Sequence, residues 1–230
     1  MFARSGEAPF PIIILVILAV IAGVIWSYFA AKKRRDMLRQ FALENGFDFT
    51  ASPGDVHRKY QIFNPLDAGH SRSSQNLIHG RRGDLEWEMF DYRYVTGSGK
   101  SRTTHRYGIA AARIPLALMP LTIRPENFFD RIAAAVGFDD INFESEEFSR
   151  SYHVKCSDRK LAYDIIHPQM IEYLMGVSRI EWQFAGNLVL LHRSGTYEPD
   201  ELIHAMKLVE GFMERVPEFV RQDIGLPRKA

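Results

Sequence analysis

The sequence predicts an α+β chain in which one transmembrane helix precedes a domain of antiparallel hairpins with helices packed on the sheet. Three observations carry this reading. Residues 10–31, FPIIILVILAVIAGVIWSYFAA, hold no charge over 22 positions. At about 1.5 Å per residue such a helix spans a hydrocarbon core of roughly 30 Å. Strand-like runs come in pairs joined by turn residues, and the helical periodicities follow in blocks. That order favours antiparallel sheet over a doubly wound parallel one.

The elements follow in order. The apolar run exceeds the roughly 7–15 residues of a signal-peptide core, and no small-x-small cleavage pattern closes it. Residues 1–9 form a short tail carrying Arg4 and Glu7. Lys32, Lys33, Arg34 and Arg35 abut the other end of the span, with Trp26 and Tyr28 one turn before them. Positive flanks stay cytoplasmic and aromatic side chains settle at the interface, so the four basic residues read as a topology signal. The expected location is a bacterial inner membrane, crossed once, with the C-terminal domain in the cytoplasm. Residues 32–46 read as a juxtamembrane helix with Met37, Leu38, Phe41 and Ala42 on one face and Asn45-Gly46 as its stop. Residues 47–215 form the α+β domain, with two subdomains meeting near 137–148 as an alternative division. Residues 216–230 read as a flexible tail.

Within the domain, 47–49 alternate as a short strand and 51–75 read as loop. Asn76–His79 and Leu85–Val95 flank Gly80-Arg81-Arg82-Gly83-Asp84, which has hairpin composition. Neither face of 85–95 is cleanly apolar, which implies a bulge or cover on both sides. A third strand over about 103–114 completes a meander. Arg124-Pro125-Glu126 reads as the start of a helix with Phe128, Phe129, Ile132, Ala133 and Val136 as its stripe and Gly137 as its end. A strand is expected over 148–155. Asp158 is expected to cap a helix running to about Ile166, and Pro168 to start another that stops at Gly176. Residues 180–184 and 188–193 flank Ala185-Gly186-Asn187 as the clearest hairpin. It would place Ile180, Trp182, Phe184, Val189 and Leu191 on one face. The last helix starts at Pro199 and buries Leu202, Ile203, Met206, Val209, Phe212 and Met213.

Composition excludes some function classes. The chain holds 29 Lys+Arg and 28 Asp+Glu. Five of the bases and one of the acids lie in the first 35 residues, which leaves the domain with 24 bases against 27 acids. A domain of net −3 is not a nucleic-acid footprint. The single cysteine, Cys156, forbids an internal disulfide and reads as a small packed side chain. The eight histidines make no compact metal pattern, and His153 with Cys156 does not close a zinc site. The acidic run Asp139-Asp140, Glu144, Glu146, Glu147 lacks the spacing of a calcium loop. No cofactor and no metal is expected.

The stretch Tyr94-Val95-Thr96-Gly97-Ser98-Gly99-Lys100-Ser101 superficially matches a phosphate-binding loop. The pattern G-x-x-x-x-G-K-[ST] needs glycine where Tyr94 stands, and a helix must follow where the sequence reads as strand. A turn needing positive φ explains the glycines. Arg81, Arg82, Lys100, Arg102 and Arg106 remain candidates for a basic rim that takes an anionic ligand or an acidic partner. Their ordinary role is to solvate hairpin tips and protect edges.

The element Phe90-Asp91-Tyr92-Arg93-Tyr94-Val95-Thr96-Gly97-Ser98-Gly99-Lys100 resembles one found in a set of uncharacterised bacterial single-pass membrane-anchored proteins. Ile123-Arg124-Pro125-Glu126 and residues 140–149 resemble further elements of that set, so the resemblance spans about residues 40–215. It implies a bacterial source and carries no catalytic residue.

Two functions follow. One is a non-enzymatic cytoplasmic interaction module on a membrane anchor, binding a protein partner or anionic lipid headgroups. The other is a membrane-bound enzyme, or a binder of a nucleotide or phosphate ligand, using the loops around Arg81 and Lys100. A pocket floored by titratable groups would favour the second.

Overall fold

In a computed structural model, residues 10–126 and 141–226 are described. The fold is α+β. Among the described residues six strands form one sheet: β1 (Asp48–Thr50), β2 (His70–Arg82), β3 (Leu85–Thr96), β4 (Thr103–Pro125), β5 (Tyr152–Cys156) and β6 (Trp182–Ser194). The described α-helices are α1 (Phe10–Glu44), α2 (Glu146–Ser151), α3 (Arg159–Ile165), α4 (Pro168–Gly176), α5 (Pro199–Arg215) and α6 (Glu218–Ile224).

The expected meander is present as β2-β3-β4, all antiparallel. Its first turn is the tight Gly83-Asp84 pair that the composition suggested, and only the flanking strand runs longer than expected. Gly80, Arg81 and Arg82 belong to β2, and the two-residue turn is Gly83-Asp84, with Gly83 at φ 59° between the paired Arg82 and Leu85. The strand also begins earlier, at His70, and a 3-10 turn forms at Val56–Tyr60 in the stretch expected to be bare loop. β3 is covered on both sides. Leu85, Trp87 and Met89 enter the helix-side core, whereas Phe90, Tyr92 and Tyr94 enter a second core roofed by Val56, Tyr60, Phe63 and Leu66. Its two half-apolar faces therefore reflect two coverings rather than a switch of face.

The largest departure concerns β6. Gly186-Asn187 is not a hairpin turn. Residues 182–194 form one strand paired with β4 from Ile123↔Trp182 to Tyr107↔Ser194. Gly186 takes φ 56°, and the register shifts opposite it between Arg113 and Leu121 of β4. The shift swaps which side chains point inward, so Trp182, Phe184, Val189 and Leu191 all share the helix-side core, as a hairpin would also have placed them. β4, at 23 residues, bends with it. Its first half lies between β3 and β6, and its last residues lie between β5 and β6.

Arg124 and Pro125, expected to open a helix, end β4 opposite His153 and Tyr152. Residues 127–137 of that expected helix lie outside the described residues. Phe148 lies in α2, capped by Ser145, so β5 starts only at Tyr152. Asp158 caps α3 by accepting from Leu161 N, and α4 runs from Pro168 to Gly176 as expected. Residues 218–224, expected in a loose tail, form α6, and Leu226 N donates to Pro115 O.

α5 lays Leu202, Ala205, Met206, Val209, Phe212 and Met213 on the sheet. Its N-terminus is held by Glu201, whose carboxylate accepts from Glu198 N at 2.8 Å and from Arg193. These bonds, the backbone one first, hold the Glu201 pKa below its ordinary 4.5. A depressed carboxylate contributes stability at neutral pH that is lost as pH falls through the depressed value. Glu201→Gln is therefore expected to flatten the acid limb of a stability-versus-pH curve below about pH 4.5. Equal slopes for the variant and the parent would contradict this role.

Candidate functional site

α1 is unbroken from the apolar span into the domain. It is the one described helix long and apolar enough to cross a membrane, and its side chains from Ile12 to Phe29 are exposed. From Leu38 onward the same helix is core: Leu38, Phe41 and Ala42 are buried. It runs antiparallel to β3. Leu38 sits beside Met89 and Phe90, and Arg34 beside Asp91. Further along the apolar run, Trp26, Ser27, Ala30 and Ala31 share a groove with Arg93.

The junction is locked by Arg34. Its Nε donates to Asp91 Oδ2 at 2.8 Å and its Nη2 to Asp91 Oδ1 at 2.7 Å, a bidentate pair. Nη2 also donates to the Tyr197 carbonyl at 3.0 Å, and Glu198 lies at 3.5 Å. Asn76, at φ 53°, donates to the same Asp91 at 2.8 Å. Burial lowers the pKa of Arg34, but the hydrogen bond and charge of Asp91 offset it and the net shift is upward. Arg34, read from sequence only as one of four topology charges, is thus a clamp between α1, β3 and the start of α5. The partner Asp91 lies 57 residues away, and nothing local pairs them. Lys32 and Lys33 face away, on the exposed side of α1 beside Phe29 and Asp36.

Next to the clamp lies a groove of about 680 Å3. One wall is α1 at Trp26, Ala30 and Ala31. The other is the sheet at Ser73, Asp91, Arg93 and Arg106, and Arg34 and Arg35 complete it. Of the five basic candidates named from sequence, only Arg106 lines it.

The structure splits the expected basic rim. Arg81 and Arg82 flank the β2–β3 turn, whereas Lys100, Arg102 and Arg106 belong to the β3–β4 turn region. The two turns lie at opposite ends of the 12-residue β3, roughly 35 Å apart at about 3.3 Å per residue. They cannot grip one small ligand. Arg82 is also engaged, pairing with Glu210 at 2.9 Å. The β3–β4 turn lies at the end of the sheet that faces the apolar part of α1, because Trp26, Ser27, Ala30 and Ala31 share a groove with Arg93 and Arg106. Gly97 and Gly99 take φ 69° and 55°, and a 3-10 turn at Gly99–Ser101 leads into β4. A phosphate loop would instead lead into an α-helix.

A second, smaller pocket of about 170 Å3 lies over the end of β4. Lys155, Thr122 and Gln183 of three adjacent strands floor it, beside His153 and Arg124 and with Glu181, the residue before β6. Glu181 and Gln183 are buried, and Gln183 holds the turn segment around Asn64 by bonding both Asn64 N and Asn64 O. Glu181 Oε2 also approaches His192 Nε2 to 3.6 Å. Eleven residues of straight strand would separate them by roughly 36 Å, so their contact records how sharply β6 curls at Gly186. Sequence reading missed this cluster because its members come from three strands. Cys156 is buried, and burial pushes its thiol pKa up, which suits packing and not nucleophilic attack. Among the described residues no group of three His, Cys, Asp or Glu is arranged to hold a metal.

No protein-family model matches this sequence, and no curated protein is detectably similar to it. The fold is nevertheless found elsewhere. A crystal structure of the mycobacterial trehalose monomycolate transport factor A matches with a TM-score of 0.56 and 11% identity, covering 80% of this chain and 96% of that one. At that identity the likeness is one of architecture: this chain shares the α+β fold of that transport factor.

Proposed function

We propose that this protein is a single-pass membrane-anchored, non-enzymatic module that holds its α+β domain against the cytoplasmic face of a bacterial membrane and there meets a partner or lipid. One observation carries the reading: α1 passes without a break from apolar span to buried core and is clamped to the sheet by Arg34 and Asp91. A flexible tether would let a domain act at a distance. A continuous clamped helix fixes its height and orientation, which serves a task at the bilayer surface. The four bases Lys32 to Arg35 support cytoplasmic placement by the charge rule. Membership of a transport machinery, by analogy with the architecturally similar transport factor, is compatible with this reading.

The test is membrane extraction and topology mapping. The full chain should stay in the pellet through alkaline carbonate treatment, and protease should reach a C-terminal tag only in inside-out vesicles. Release by carbonate would overturn anchoring, and cleavage of the tag in intact spheroplasts would overturn the orientation.

A second reading rests on the smaller pocket. Arg124, His153, Lys155 and Glu181 on one floor are the kind of convergent titratable set that an enzyme site uses. Turnover of any substrate that is lost in Glu181→Gln, with the fold intact, would favour it.

A further inference from the structure

The groove beside α1 contains an electrostatic imbalance. Arg34 is neutralised by Asp91. Arg35, Arg93 and Arg106 line the same groove, and no carboxylate among the described residues forms an ion pair with any of them. Arg93 and Arg106 are moreover directly opposed across β3 and β4, and both are exposed. Like charges directly opposite on one face of a sheet repel. The one acidic side chain in the groove, Asp91, is already taken by Arg34 and Asn76. The sheet thus holds two guanidinium groups together without an internal counter-charge.

The facing wall is of a different nature. Trp26, Ala30 and Ala31 belong to the uncharged run of α1, and Trp26 is 75% exposed. The groove therefore begins at the depth where the span ends and opens sideways onto what would be lipid. A ligand that fills it must carry negative charge at one end and hydrocarbon at the other. Arginine forks match phosphate oxygens in bidentate geometry and hydrate less strongly than ammonium groups, so they suit a phosphate at a half-wet interface. A volume of about 680 Å3 lies within the roughly 300–1,000 Å3 typical of ligand sites.

We propose that this groove binds the phosphate headgroup of an anionic phospholipid, with Arg93 and Arg106 gripping the phosphate, Arg35 at the rim and an acyl chain along Trp26 and Ala30. The assignment rests on α1 spanning the membrane. An acidic segment of a partner protein would satisfy the arginines but would leave the hydrocarbon wall without a matching surface.

The experiment uses the full-length protein in neutral detergent. Phosphatidylglycerol, phosphatidylcholine, inorganic phosphate and a poly-glutamate peptide are added separately, with thermal unfolding and native mass spectrometry as readouts. Phosphatidylglycerol alone is expected to raise the unfolding temperature and to remain bound. The double variant R93Q/R106Q should weaken that binding about tenfold, the loss of one charge-assisted contact or more. Its unfolding temperature without lipid should be unchanged or higher, since a repulsion has been removed. R81Q, at the far end of β3, should bind as the parent does. Equal response to phosphatidylcholine and phosphatidylglycerol would overturn the proposal. So would retention of the phosphatidylglycerol effect in R93Q/R106Q, or equal protection by phosphate or by the peptide. Those outcomes leave the anchoring reading untouched. Release from membranes by alkaline carbonate sinks anchoring itself, and this assignment with it.

Discussion

Trp182→Ala is expected to destabilise the domain by about 3–5 kcal/mol, the range for deleting a large buried aromatic side chain. Trp182 is fully buried at the start of β6, opposite Ile123. Its ring lies 5.2 Å from Phe212 of α5 and stacks with Phe184 at 6.4 Å, while Phe184 and Phe212 stand 4.9 Å apart. The trio joins the sheet to α5 beyond the bend at Gly186. Deleting one ring leaves a cavity that neither a strand paired on β4 nor a 17-residue helix can readily close. Trp182→Phe should cost about 1–2 kcal/mol, because a ring remains and the indole Nε1 has no hydrogen-bond partner among the described residues. Denaturant unfolding of both variants measures this. Equal losses for Phe and Ala would show that the aromatic contact is not what matters.

Arg34→Ala is expected to cost about 2–3 kcal/mol, somewhat below the 3–5 typical of breaking a fully buried pair, since both partners remain nearly a fifth exposed. The variant leaves Asp91 with Asn76 as its one side-chain donor among the described residues and releases the Tyr197 carbonyl. Asp91→Ala should cost a similar amount. The double variant should cost less than the sum of the two, by about 1–2 kcal/mol, because the partners act as one unit. The clamp also predicts a local effect. Trypsin should cut at Lys32 to Arg35 faster in either single variant than in the parent, since α1 loses its hold on β3 at that point. Additive losses with unchanged proteolysis would reduce the clamp to an ordinary surface ion pair.

Much of the chain was legible as sequence. The apolar run of residues 10–31 needs no tertiary context, because length and absence of charge alone meet the span criterion. Asp158 and Pro168 announced α3 and α4, and the stripe from Leu202 to Met213 announced α5, because capping and the 3.6-residue period are local physics. The rejection of a phosphate loop at Gly97–Ser101 likewise followed from a missing glycine and a following strand.

β6 shows where local reading ends. A Gly-Asn pair that reverses which residues face inward fits a hairpin turn and a bulged bend equally well, and both put Trp182, Phe184, Val189 and Leu191 on one face. The difference lies in whether the second half pairs back on the first or on a distant β4. That choice depends on partners 75 to 87 residues away in sequence, from Arg113↔Leu188 to Tyr107↔Ser194. The same limit hid the sites. Arg34 finds Asp91, Arg93 faces Arg106, and Glu181 reaches the floor shared with Arg124 and His153 only once the sheet has formed. It also misled, since Arg81 and Lys100 look like neighbours in a basic loop region but stand at opposite ends of β3.

The sequence by itself determined the long apolar helix, the class of fold and most of the described helices, because hydropathy, period and capping act over a few residues. The tertiary structure decided that α1 runs unbroken from the apolar stretch into the core of the domain, that β4 and β6 bend together, and which arginines gather beside the apolar part of α1. The physical reason is that a charge acquires its partner, or its lack of one, from strand register and helix docking, and these are fixed by long-range packing.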